Sequence, residues 1–241
     1  MSAMLELRSV SKTYGLGASE VRALRDVDLS VVAGEMVAVM GPSGSGKSTL
    51  LTIAGSLEEA SSGEVLVDGQ EVSSMTADER ARLRRRQIGY VFQDFNLLPG
   101  LTALENVSLP LELDGVDLGR ARPEALRALD DLEMRQRAEH FPDELSGGEQ
   151  QRVAIARAVV GSRRLLLADE PSGALDSVNG EAVIRLLRTV CRSGLAVVVV
   201  THDSQLAAWA DRIVFLRDGR VVDGTNPPPG PESLLEEQSL G

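Results

Sequence analysis

A glycine-rich loop at residues 41–49, with the sequence GPSGSGKST, limits the folds open to this chain. It matches the pattern G-x-x-x-x-G-K-[ST] and follows the apolar run 36–40, which is typical of a strand buried on both faces. The pattern after the loop predicts a helix over residues 48–56. Glycines let backbone N–H groups of such a loop point inward at phosphate oxygens, helped by the positive helix N-terminus. The loop, called here the phosphate loop, therefore predicts a nucleoside triphosphate site.

Two side chains of the phosphate loop are expected to act directly. Lys47 should reach the β- and γ-phosphates, and Ser48 should offer its hydroxyl oxygen to Mg²⁺. Lys47 is one of only two lysines among 25 basic residues, which suggests that a compact ammonium is needed there. By itself the loop leaves kinases, GTPases, helicases and transporters open. The residues expected to bind the nucleotide are Gly41, Pro42, Ser43, Gly44, Ser45, Gly46, Lys47, Ser48 and Thr49.

Two consecutive carboxylates follow a second apolar run, at residues 165–168. Asp169 is predicted to hold Mg²⁺ through a water, and Glu170 to orient or deprotonate the attacking water. Such a pair is often only a turn or a helix cap. The apolar run before it and Pro171 after it favour the catalytic interpretation.

Bulk composition excludes some classes of protein. The formal net charge of −11 argues against nucleic-acid binding, which needs a surplus of basic residues. Cys191 is the only cysteine, so no intramolecular disulfide or zinc cluster is expected, in keeping with a reducing, cytoplasmic setting. The N-terminus lacks the pattern of a secretion signal, and the longest apolar run, 195–200, is too short to span a bilayer. Any membrane role is therefore expected to need a partner.

The sequence LSGGEQ at residues 145–150, called here the signature loop, separates this chain from other phosphate-loop proteins. It opens an expected helix and offers a hydroxyl and N–H groups suited to a phosphate. With this motif between GPSGSGKST and LLLADEP, the chain resembles the ABC ATPase family over residues 5–224. The resemblance implies a head-to-tail homodimer, in which each ATP lies between one subunit's phosphate loop and the other's signature loop. The expected contacts are Ser146, Gly147, Gly148 and Glu149.

Four more residues match family motifs, and the resemblance implies their roles. Tyr14 would stack on adenine; an exposed loop tyrosine is the alternative, but the chain has only seven aromatic residues, which favours stacking. Gln93 would contact Mg²⁺ and water and link to the helical lobe, and Asp176 lies in a loop that would cross the dimer interface. His202, which follows the run VVVV, would contact the γ-phosphate. His140 receives no role.

The expected fold is α/β: a phosphate-loop NTPase (RecA-like) core with a parallel sheet, an N-terminal antiparallel β-subdomain and an inserted α-helical subdomain. Residues 1–224 would form one nucleotide-binding domain, with a core lobe of 1–95 and 161–224 and a helical subdomain of 96–160. Periodic patterns predict helices over 122–137, 149–160 and 178–192. A hairpin would close the fold at residues 213–222, and 225–241 would be a flexible tail.

Within the family, the chain is most similar to the branch of the macrolide exporter MacB and the lipoprotein-release ATPase LolD. This implies an ATPase at the cytoplasmic face of the membrane, bound to a separate integral-membrane permease, with no membrane span of its own. The transported substrate cannot be read from the sequence.

Three alternatives stay open at this point. One is an ATPase similar to the cell-division protein FtsE, which regulates division instead of transport, and another is a catalytically dead binding module. The third concerns the basic run Arg80–Arg86, which is either a solvated helix face or a contact with anionic lipid or a permease loop. Trp209 is expected to pack in the fold.

Overall fold

The computed structural model describes residues 3–15 and 17–225, and its strands form two sheets. The strands are β1 (Ala3–Tyr14), β2 (Val21–Val32), β3 (Met36–Met40), β4 (Ser62–Val67), β5 (Gln70–Glu71), β6 (Ile88–Val91), β7 (Leu165–Asp169), β8 (Ala196–Val200), β9 (Arg212–Arg217) and β10 (Arg220–Thr225). The first sheet is antiparallel, in the order β2-β1-β4-β5. The second has the order β10-β9-β3-β8-β7-β6 and is parallel except for the edge strand β10.

Helices connect the strands and fill the segment between β6 and β7. They are α1 (Lys47–Ala54), α2 (Ala77–Gln87), α3 (Ala103–Leu113), α4 (Leu118–Asp131), α5 (Gly147–Val159), α6 (Ser177–Arg192) and α7 (Ser204–Ala207). Thr76, Thr102 and Ser146 each begin a helix with a reciprocal capping box, in which a glutamate three residues later returns a bond to the cap. These helix starts are therefore encoded locally.

The parallel sheet separates two hydrophobic cores. Successive residues of a strand point to opposite faces, so Val37 and Val39 of β3 pack with α1 and the antiparallel sheet. Met36, Ala38 and Met40 pack on the other face with α3, α5 and α6. This two-sided burial is the reason that β3 reads as an uninterrupted apolar run.

Most sequence-predicted elements are present, with shifted ends. The helix expected at 122–137 corresponds to α4, which runs from Leu118 to Asp131, so both predicted ends were wrong. The helix ends early because Glu133 takes a left-handed backbone, with φ of 60°. Strand β10 continues to Thr225, three residues beyond the predicted hairpin, so the expected tail cannot begin there. The rest of that tail, 226–241, lies outside the described residues.

Arginines of the basic run in α2 form ion pairs and hydrogen bonds with other residues of the chain. Arg80 pairs with Glu59, Arg84 donates to the Ser56 carbonyl, and Arg86 pairs with Asp114. These pairings favour the solvated helix face over a free basic surface. Among the described residues, no helix is long and apolar enough to cross a membrane.

Candidate active site

Loops that follow four parallel strands meet at one edge of the sheet, where they line a cavity of about 620 Å³. The register pairs Val91 with Ala168 and Ala168 with Val199, so β6, β7 and β8 end at similar heights. Crevices at the carboxyl ends of such strands are the usual ligand sites of open α/β sheets. The predicted residues that line the cavity are Gly41, Pro42, Ser43, Gly44, Gly46, Lys47, Ser48, Thr49, Gln93, Asp169, Glu170 and His202.

The phosphate loop is held between β3 and α1. Gly41 has a φ of 153°, and a Cβ there would lie 2.1 Å from the Leu216 carbonyl oxygen, so only glycine fits. The Lys47 ammonium donates to the carbonyls of Gly41 and Pro42, at 2.8 and 3.0 Å. The cation therefore lies across its own loop, within the cavity. Ser45 is 3% exposed and does not line the cavity.

Oxygen groups suited to a divalent cation stand beside Lys47. Burial raises the pKa of Asp169, and a hydrogen bond from the Ser48 hydroxyl opposes that rise. Gln93 lines the same cavity. Mg²⁺ prefers one or two carboxylates plus phosphate and water oxygens, and Ser48, Asp169 and Gln93 fit that donor set. Within the described part of the chain, no cluster of three or more His, Cys, Asp or Glu could hold a metal alone.

Glu170 and His202 form a pair that the sequence separates by 32 residues. His202 Nδ1 lies 2.9 and 3.0 Å from the two carboxylate oxygens of Glu170. The Glu170 backbone is left-handed, with φ of 45°, and its N–H donates to the Val200 carbonyl at 2.9 Å. A glutamate in this region is strained, and strain of this kind concentrates at functional sites. Glu170 is thus held at its backbone by Val200 and at its carboxylate by His202.

Tyr14 is not brought into the cavity lining. Its hydroxyl lies 2.5 Å from a Glu58 carboxylate oxygen, and the Lys12 ammonium lies 5.0 Å from the ring centroid. Tyr14 as a whole is 38% exposed, at the end of β1. Burial is the main cause that raises the pKa of Tyr14, with the Glu58 contact second.

The signature loop also lies outside the cavity lining, next to the loop of Asp176. The Ser146 hydroxyl accepts from the Glu149 N–H at 3.3 Å, and the Glu149 carboxylate accepts from the Ser146 N–H at 2.9 Å. The bond from the Ser146 N–H is the main reason that the pKa of the Glu149 carboxyl is lowered. A Cβ on Gly148 would lie 2.9 Å from the Asn179 amide oxygen, while Asp176 accepts from the Asn179 N–H at 3.0 Å. Ser146, Gly147, Gly148, Glu149 and Asp176 thus form a second cluster.

Sequence reasoning missed several residues that line the cavity. They lie on β2 and in the turn between β9 and β10, and they are Val21, Arg22, Ala23, Arg25, Asp218 and Gly219. The Asp-Gly pair was readable as a hairpin turn. Its position against the phosphate loop depends on strand order, which has no local signal.

Comparison with known proteins agrees with this geometry. A family profile described as ABC transporter matches residues 24–173. The macrolide export ATP-binding/permease protein MacB of Photorhabdus laumondii is 46% identical over 222 residues, which are 92% of this chain and 34% of MacB. MacB of Burkholderia pseudomallei is 49% identical over 225 residues, again 34% of its length. This chain therefore spans about a third of the MacB proteins.

A second kind of relative matches along nearly its whole length. The ABC transporter ATP-binding protein MJ0796 of Methanocaldococcus jannaschii is 48% identical over 223 residues, 90% of this chain and 95% of that protein. The dimeric structure of MJ0796 has a TM-score of 0.85 and covers 93% of this chain and 99% of its own at 45% identity. A structure of MJ0796 bound to ADP and Pi, described as a post-hydrolysis state, matches equally well. The fold is thus that of the ABC cassette, and the chain belongs to the ABC transporter family.

Proposed function

We propose that this chain is the ATP-binding and ATP-hydrolysing subunit of a MacB/LolD-like ABC transporter. The observation that carries the proposal is the Glu170–His202 pair at 2.9 Å, in the same cavity as Lys47 and Asp169. One cavity holds a group to bind phosphate, groups to hold Mg²⁺ and a carboxylate to activate water. That combination serves phosphoryl transfer to water.

The residues divide the work in hydrolysis. Lys47 exchanges the carbonyls of Gly41 and Pro42 for the β- and γ-phosphate oxygens. Ser48, Asp169 and Gln93 would hold Mg²⁺, and the bound ion would supply positive charge against the phosphates. Glu170 accepts a proton from the attacking water. His202 contacts the γ-phosphate and holds the Glu170 carboxylate in place.

The proposed working unit is a head-to-tail homodimer. Ser146 and Asp176 belong to a cluster outside the cavity of their own subunit, and a second copy would bring that cluster to the nucleotide. The dimeric structure of MJ0796, a close structural neighbour, supports this arrangement. Tyr14 would stack on adenine at the outer end of β1.

The proposed setting is the cytoplasmic face of a membrane, where a separate permease chain is driven to export a substrate or to perform mechanical work. The relatives compared above are named as export and transporter proteins, and this favours transport over control of cell division. The permease would be moved through the segment that follows Gln93.

Glu170→Gln tests the proposal, because it removes the base and keeps the shape of the side chain. ATP turnover should fall by about 10²- to 10⁴-fold, the range for loss of a general base. The variant should also form a stable dimer in ATP and Mg²⁺, measured by size-exclusion chromatography. Glu64→Gln is the control and should keep full turnover, because Glu64 is an exposed residue of β4 that pairs with Arg8 outside the cavity. A Glu170→Gln protein that hydrolyses ATP normally would refute the assigned role.

A further inference from the structure

The turn between β9 and β10, called here the closing turn (Asp218–Gly219), is bonded to the phosphate loop through its backbone. The Gly219 N–H donates to the Ser45 carbonyl at 3.0 Å. The Gly219 carbonyl in turn accepts from the Arg25 N–H of β2 at 2.7 Å. One residue of the closing turn, Gly219, therefore connects β2 of the antiparallel sheet to the phosphate loop through its N–H and its carbonyl.

Close packing against β2 leaves no room for a Cβ at Gly46 or at Gly219. The Ala23 carbonyl oxygen of β2 would lie 2.3 Å from a Cβ on Gly46 and 2.8 Å from a Cβ on Gly219. Both distances are below any that real Cβ atoms show, and the atom approached is backbone. The phosphate loop and the closing turn thus both pack against one carbonyl, that of Ala23. A displacement of the closing turn would be transmitted to Gly46.

The geometry of the peptide bond gives this contact a chemical consequence. The Ser45 carbonyl and the Gly46 N–H belong to one planar trans peptide and point in opposite directions. A hydrogen bond that holds the carbonyl toward the closing turn also fixes the direction of the Gly46 N–H. Gly46 lines the cavity, and backbone N–H groups of this kind of loop hold phosphate oxygens.

We propose that Gly219 is a positioning residue for the nucleotide, which sets the orientation of the Ser45–Gly46 peptide for phosphate binding. The inference rests on the proposed ATPase function. Gly219 lies 172 positions after Lys47 of the phosphate loop. Because its side chain is a single hydrogen, it acts on the nucleotide site through its backbone N–H.

The chain contains a matched turn that serves as a control. Asp68–Gly69, between β4 and β5, has φ values of 50° and 74°, against 49° and 76° for the closing turn. A Cβ on Gly69 would meet no atom within 4 Å. Alanine at either glycine carries the same backbone penalty, but only Gly219→Ala pushes against Ala23 and the phosphate loop.

The experiment compares Gly219→Ala, Gly69→Ala and the unaltered protein by calorimetric titration with MgADP, alongside thermal unfolding. Gly219→Ala should bind MgADP about tenfold more weakly, equivalent to about 1.4 kcal/mol, while Gly69→Ala binds as the unaltered protein does. Equal affinity of the two variants would overturn the inference and leave the proposed function standing. An unaltered protein that binds no nucleotide would overturn both.

Hydrogen exchange provides a test that does not depend on a variant that folds. In the unaltered protein, MgADP should slow amide exchange in a peptide that covers residues 216–220. A peptide that covers residues 68–71 should exchange at the same rate with and without MgADP. Exchange at 216–220 that does not respond to MgADP would overturn the positioning role.

Discussion

Replacing Arg157 with leucine should loosen Gln93 and the segment after it and leave the phosphate loop in place. Arg157 lies on α5, ten residues after Gly147, the first residue of that helix. Its guanidinium donates to the carbonyls of Phe95 and Asn96, at 2.8 and 2.5 Å. Both residues have left-handed backbones, with φ of 55° and 51°. Arg157 thus holds two strained residues against α5.

The size of the effect follows from these contacts. A hydrogen bond to a charged group contributes about 1.5–3 kcal/mol, so two contribute about 3–6 kcal/mol. Each left-handed residue other than glycine costs about 1–2 kcal/mol, so relaxation of Phe95 and Asn96 returns about 2–4 kcal/mol. Taking the middle of each range, the free energy of unfolding should therefore fall by only about 1.5 kcal/mol. Burial lowers the pKa of Arg157, and removal of this desolvated charge also limits the loss.

Hydrogen exchange and steady-state ATPase kinetics measure the outcome. Amides at 93–97 should exchange faster in Arg157→Leu, and kcat should fall about tenfold because Gln93 is less well held. KM for ATP should stay within about twofold, since Arg157 does not line the cavity. Arg152→Leu is the control, because Arg152 lies on the same helix and donates to Leu132 and Glu133. Unchanged exchange at 93–97 and unchanged kcat in Arg157→Leu would refute the reasoning.

Two further predictions concern buried polar groups. Asn106 is fully buried, accepts from the Leu98 N–H and donates to three carbonyls, so Asn106→Leu should lower the free energy of unfolding by about 2–4 kcal/mol in urea titration; a loss below about 1 kcal/mol would contradict this. Burial raises the pKa of the Cys191 thiol from 9.0 to about 11, so the unfolded chain releases this proton first and stability falls as pH rises from about 9 to 11. Relative to Cys191→Ala, the protein should lose about 1 kcal/mol between pH 8 and pH 10 in chemical denaturation, and equal pH dependence of the two proteins would argue against this.

The sequence alone predicted the elements whose signals are local. The run 36–40 became β3, and the glycine pattern after it became a loop at the N-terminus of α1. The starts of α2, α3 and α5 carry a local signal as well, which our predictions did not use, since a capping residue and the glutamate that answers it are three positions apart. The end of α4 was missed, because the left-handed Glu133 that stops it carries no residue-type signal.

The candidate site followed the same division. Lys47, Ser48, Asp169, Glu170 and His202 were all named from motifs, and all of them line the cavity. Their types and their positions at strand ends are local properties. The predicted adenine contact at Tyr14 stays a prediction, since its place beside the nucleotide depends on contacts beyond the cavity lining.

Only the tertiary structure decided which distant segments touch. The order of strands in the parallel sheet brings β7 and β8 side by side, and this places Glu170 against His202. The pairing of β9 with β3 carries the closing turn to the phosphate loop, and α5 carries Arg157 to the segment after Gln93. All three contacts join residues far apart in sequence, and the last two involve backbone atoms, which every residue type possesses. A sequence therefore names the reacting side chains, while the packing of strands and helices determines what holds them in place.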